Sequence, residues 1–212
     1  MVGRASCCAV VVLLSAASAA SADGSESYQS QQAPDDLTAE VVTRDLDGDA
    51  EPETVVLFRD ADGNLVRAEA DSNGDGVADM WALYTTHEDG RMAAELAIDL
   101  TGDGLPDEWR WSLGGVMTLI GRDTRTDGKP DLWTALDAAG AVVEVRGDTN
   151  ADGNPDTWST VGAEGATQRT AYDTTGDGRP DRWVNYGDDG VVLSIETDTD
   201  GDGEPDEVVR EH

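Results

Sequence analysis

Seven copies of one short acidic pattern constrain this chain more than any other feature. The clearest copy is Asp173-Thr-Thr-Gly-Asp177-Gly178-Arg-Pro180-Asp181-Arg-Trp183. Gap-free copies begin at Asp45, Asp71, Asp99, Asp123, Asp148, Asp173 and Asp198, with offsets of 26, 28, 24, 25, 25 and 25 residues. The consensus is D-x-[DNT]-x-D-G-x-P-D-x-W. Positions 1 and 5 are Asp in all seven copies. Position 9 is Asp in six and Glu53 in the first, and position 6 is Gly except for Ala50. A unit this short cannot bury a hydrophobic face alone, so the units must stack on one another.

Pairs of short strand-like runs separate the acidic loops. Arg182 to Tyr186 and Val191 to Thr197 flank Gly187-Asp-Asp-Gly190, and Leu132 to Leu136 and Ala141 to Arg146 flank Asp137-Ala-Ala-Gly140. Glu108 to Leu113 and Val116 to Arg122 flank Gly114-Gly115, a two-residue hairpin signal. No segment sustains an apolar period near 3.6, and Gly or Pro recurs too often for helices. Six hairpins between seven loops, plus one strand at each end (Thr38 to Arg44 and Glu207 to Arg210), make 14 strands. Each unit is too short for a four-stranded propeller blade, which needs about 40 residues. The expected fold is all-β: an elongated, open and twisted antiparallel meander of hairpins, with seven loops along one edge. At about 4.8 Å per strand the array is about 65 Å long.

Position 11 is Trp81, Trp109, Trp133, Trp158 and Trp183 in the inner copies, and Val55 and Val208 at the ends. In an ordered meander these indoles recur on every second strand of one face, about 10 Å apart. Packing is the favoured reading of this row. The functional alternative is an aromatic strip that stacks on sugar rings, led by Trp109 and Trp111.

The chain carries 45 Asp plus Glu against 14 Lys plus Arg, a formal net charge of −31 over 212 residues. That excludes nucleic-acid binding through a basic surface and argues against docking on anionic lipid. The position of the acids matters more than their number, because 23 of the 45 fall at positions 1, 3, 5 and 9 of the loops. Packing several carboxylates together is repulsive unless a cation offsets it. Calcium takes six to eight oxygen ligands. Side chains at positions 1, 3 and 5 converge when the chain curls, Gly at position 6 permits the curl, and position 7 offers its carbonyl and position 9 a further carboxylate. The expected ligands are Asp45, Asp47, Asp49 and Glu53 in the first loop, and Asp71, Asn73, Asp75 and Asp79 in the second. Asp99, Thr101, Asp103 and Asp107 follow, then Asp123, Asp127 and Asp131, then Asp148, Asn150, Asp152 and Asp156. The last two sets are Asp173, Thr175, Asp177 and Asp181, and Asp198, Asp200, Asp202 and Asp206. Up to seven calcium ions are expected. The fourth loop is expected to be weakest, because Arg125 stands at position 3 and its guanidinium can replace the ion.

The segment Asp71-Ser-Asn73-Gly-Asp75-Gly-Val-Ala-Asp79 resembles the calcium loops of FG-GAP/VCBS-type repeats. The resemblance implies a loop between β-strands that holds calcium through side chains at positions 1, 3, 5 and 9 and the position 7 carbonyl. It covers only the loops, and the family's longer repeat and propeller do not carry over. No loop has the Glu at position 12 that a helical EF-hand requires.

The N-terminus reads as a secretory signal over residues 1–22. Arg4 precedes an apolar run from Cys7 to Leu14, and Ala20-Ser21-Ala22 forms an A-x-A cleavage pattern. The run is too short to span a bilayer, so no membrane insertion is expected after cleavage. Residues 23–37 read as a flexible linker, and 38–212 as the repeat domain. Cleavage removes both Cys7 and Cys8, which leaves calcium as the staple of an exported chain without disulfides. The two histidines, His87 and His212, lie in a turn and at the terminus, and no H-E-x-x-H, G-x-S-x-G or phosphate loop is present. The expectation is an exported, non-enzymatic calcium-binding repeat protein at a cell surface or in the periplasm. A glycan-binding Trp face and an accessory domain for an extracellular protein are the alternatives.

Overall fold

The computed structural model describes residues 37–46 and 48–210. The signal peptide, all of the linker except Leu37, Asp47 and His212 lie outside the described residues.

Fourteen strands follow one another: β1 (Thr38–Arg44), β2 (Glu53–Arg59), β3 (Leu65–Asp71), β4 (Met80–Thr86), β5 (Met92–Ile98), β6 (Glu108–Leu113) and β7 (Val116–Arg122). They continue as β8 (Leu132–Leu136), β9 (Val142–Gly147), β10 (Thr157–Val161), β11 (Thr167–Tyr172), β12 (Arg182–Tyr186), β13 (Val192–Thr197) and β14 (Glu207–Arg210). Every strand pairs antiparallel with its chain neighbours, giving one open sheet in sequence order. Among the described residues, close backbone contacts between elements are confined to consecutive strands. The expected meander is therefore the observed one. The acidic loops line one edge and the hairpin turns the other.

Turn chemistry sets the register. Asp137 donates its N–H to the Ala141 carbonyl at 2.9 Å, and Gly140 donates to the Asp137 carbonyl at 2.9 Å. Gly140 takes φ 83°, the left-handed residue that closes a three-residue hairpin and leaves a bulge in the adjoining pair. The turns at Asp60, His87, Gly162 and Gly187 repeat this bonding. Gly114-Gly115 makes the sixth turn, joining Leu113 to its partner Val116.

One cross-strand row runs the length of the sheet. It reads Val56, Glu69, Trp81, Ala97, Trp109, Gly121, Trp133, Arg146, Trp158, Ala171, Trp183, Glu196 and Val208, each directly opposite the next. Indoles thus alternate with Ala97, Gly121, Arg146 and Ala171. Small partners let the rings lie over the strand between them. Gly121 also leaves room for Trp111, outside the row, because an added Cβ would sit 2.7 Å from Trp111 Cζ3. Near the C-terminal end the Arg169 guanidinium covers the Trp183 ring at 5.3 Å.

Both faces carry apolar clusters. Trp81, Ala97 and Trp109 pack together on one, with Ala78 and Trp111 against them. Ala68, Ala82, Leu96 and Ile98 pack on the other, joined by Leu57, Met80 and Tyr84. Side chains alternate faces along a strand, so Trp81 and Ala82 serve opposite layers. The core is densest between β3 and β6, and thins to β14, whose four residues are all exposed.

Candidate metal centre

Each loop closes on its own first aspartate. Asp99 accepts the N–H of Gly102 on Oδ1 and of Gly104 on Oδ2, both at 2.7 Å. Asp71, Asp123, Asp148, Asp173 and Asp198 take the same two bonds, from the residues at positions 4 and 6. Two N–H groups reach one carboxylate because positions 4 and 6 both adopt positive φ, which shapes an anion-holding concavity. The position 9 carboxylate accepts from position 2. In the fifth loop Thr149 donates its N–H and its hydroxyl to Asp156 at 2.9 Å and 2.8 Å. The position 5 carboxylate accepts the N–H of position 7, as Asp75 does from Val77 at 2.8 Å.

These bonds sort the acids by depth. Asp79, Asp99, Asp131, Asp148, Asp156 and Asp198, all at positions 1 or 9, are buried. All seven position 5 residues (Asp49, Asp75, Asp103, Asp127, Asp152, Asp177 and Asp202) are exposed. Burial pushes the Asp99 carboxyl up, but the N–H groups of Gly104, Gly102 and Thr101 outweigh it and hold it below the usual carboxylate range. Asp173 is lowered in the same way, with bonds from Gly178 and Gly176 outweighing burial. These groups are ionised at neutral pH. Their contribution to stability is complete above about pH 4 and is lost as pH falls through the lowered values.

Among the described residues, the carboxylates of Asp198, Asp200 and Asp206 form one trio whose ligand oxygens all lie within 4.8 Å of one another. The trio joins positions 1, 3 and 9 and leaves out Asp202. The other described loops have Asn73, Thr101, Arg125, Asn150 or Thr175 at position 3. Each trio oxygen has two lone pairs, and the N–H bonds leave some free, so an all-oxygen set suited to a hard divalent cation remains.

Two recurrent features of these loops escape a search for metal ligands. Position 2 is Ser or Thr in five loops (Ser72, Thr124, Thr149, Thr174 and Thr199), and each hydroxyl donates to the position 9 carboxylate. Position 4 is Gly in five loops, and the exceptions, Thr126 at φ 60° and Ala151 at φ 66°, are held in the left-handed region. Ala50, at position 6 where the pattern has Gly, is likewise left-handed at φ 73°. A β-branched residue there is a steric outlier. Thr126→Gly is therefore expected to stabilise the chain by about 1 kcal/mol after the entropy cost of glycine. Urea unfolding of the two proteins side by side reads this out, and a destabilised Thr126→Gly would refute it.

The fourth loop differs most. Arg125 Nη1 lies 3.9 Å from Asp131 Oδ2 in its own loop and 3.5 Å from Asp148 Oδ2 in the fifth. Its Nη2 also donates to the Asp148 carbonyl. Beside the second loop, a cleft of about 610 Å³ opens between Val56, Glu69, Val77 and Trp81, with Asp71 and Gly76 of that loop and Gly104 of the third in its wall.

Fold and site together define a single-sheet all-β repeat array with an acidic loop edge. No protein-family model matches the chain, and no curated protein matches it.

Proposed function

We propose that this chain is an exported calcium-binding repeat protein whose loops work as FG-GAP/VCBS-type loops do, with the ions holding the array in shape. The observation that carries this reading is the Asp198, Asp200 and Asp206 trio, with ligand oxygens within 4.8 Å, on a loop pattern repeated seven times. Positions 1, 3, 5 and 9 with the position 7 carbonyl would hold each ion, which supplies positive charge to carboxylates that otherwise repel. The chain's own residues orient those carboxylates through the position 2, 4 and 6 donors. Export rests on the leader-like pattern of residues 1–22. Glycan stacking is the weaker reading. Of its two leading residues, Trp109 is 3% exposed and packed against Trp81 and Ala97, which leaves it no face for a sugar. Trp111 is half-buried and packs against the same cluster, so a single partly exposed indole remains to stack on a ring.

Equilibrium dialysis with calcium tests the reading. Several ions per chain are expected, with dissociation constants of about 10⁻⁴–10⁻³ M. Asp206→Asn should weaken one of them. No calcium taken up at 10 mM (about tenfold above that range) would sink the proposal.

A further inference from the structure

We infer that Arg125 is a built-in cation that closes the junction between the fourth and fifth loops without metal. The contrast with the other junctions rests on the calcium reading, whereas the clamp itself does not.

Adjacent loops are stitched by one repeated bond. From the third loop to the seventh, the position 1 N–H donates to the position 9 carbonyl of the loop before it. Asp99 donates to Asp79 at 2.8 Å, Asp148 to Asp131 at 2.9 Å and Asp198 to Asp181 at 2.8 Å. Each junction therefore ties together the backbones of two acidic residues from different loops. At the junction of the fourth and fifth loops their side chains are nearly covered, Asp131 at 7% exposed and Asp148 at 3%. Two such carboxylates held at one place need a positive partner. The Arg125 guanidinium reaches both, and it also bonds the Asp148 carbonyl. A planar fork with five donors suits a carboxylate and a carbonyl at once.

Among the described residues, Arg125 makes the ion pairs found at loop positions 1 and 9. Elsewhere position 3 is Asp47, Asn73, Thr101, Asn150, Thr175 or Asp200, none of them cationic, so no side chain at that position can play the same part. Where the chain supplies its own cation, the metal becomes unnecessary. The middle of the array then keeps its order under conditions that loosen both ends.

The test compares the full chain with Arg125→Asn, which puts at position 3 the residue the fifth loop carries there. In chelator, Arg125→Asn is expected to melt about 5 °C lower and to lose amide-exchange protection at Ala151 and Gly153. In calcium, it is expected to bind one ion more than the parent chain and to regain the lost stability. Arg125→Lys keeps the charge without the fork and should fall between the two. If Arg125→Asn melts like the parent in chelator and binds the same number of ions, the inference is overturned. If it melts lower in chelator while neither protein binds calcium, the clamp stands and the calcium reading fails.

Discussion

Chelating calcium is expected to destabilise this protein more than any single substitution. At 10 mM free calcium and dissociation constants of about 10⁻⁴–10⁻³ M, each ion bound as proposed would contribute about 1.4–2.7 kcal/mol to the folded state. Six such ions, with the fourth loop closed by Arg125, sum to about 8–16 kcal/mol. Few domains have that much stability to lose. The sign follows from the charge. A chain of net charge −31 places buried carboxylates such as Asp79, Asp99, Asp156 and Asp198 along one sheet edge. Without cations those groups repel, and nothing on the edge other than Arg125 offsets them among the described ion pairs. Scanning calorimetry and circular dichroism in EDTA and in calcium measure the effect. Sodium chloride at matched ionic strength separates specific binding from screening. Equal melting temperatures in EDTA and calcium would show that the loops fold without metal.

Trp109→Ala should cost about 3–5 kcal/mol, the largest loss expected from one side chain. Trp109 is 3% exposed and lies between Ala97 and Gly121, in the cluster that joins it to Trp81. Its removal leaves a void in a single layer of strands, where no second sheet can move in to fill it. Trp158, which is only half-buried, should cost less when cut to Ala. Guanidinium unfolding of both variants ranks them. A loss below about 1 kcal/mol at Trp109 would mean the row is not a core.

The strands were legible because each carries its own punctuation. Glu108 to Leu113, Val116 to Arg122 and Leu132 to Leu136 agree with the observed strands end to end, since Gly-Gly, Asp and Pro bound them. Where a limit moved, as at Val142–Gly147, it moved by one residue beside a glycine turn. The equivalence of the loop acids was less legible. A consensus shows Asp at positions 1, 5 and 9 alike, but the six buried loop aspartates among the described residues all stand at positions 1 or 9, and every position 5 residue is exposed. That division depends on which carboxylate captures the N–H groups at positions 4 and 6, a result of two left-handed residues that the pattern hides when one is Thr126 or Ala151. Arg125 was legible as a misfit within its loop. Its reach to Asp148 was not, because it depends on how one loop stands beside the next.

The sequence-order pairing has a mechanical consequence. β1 and β14 form opposite edges of the sheet, so tension applied to these end strands acts across the strands rather than along them. Hydrogen bonds loaded in that direction open one after another like a zipper, and do not share the load. Each freed unit of about 25 residues can pay out up to about 85 Å of extended chain. A protein built this way yields gradually at low force and recoils unit by unit, as an extensible tether does. Its stiffest point under load would be the junction that Arg125 holds.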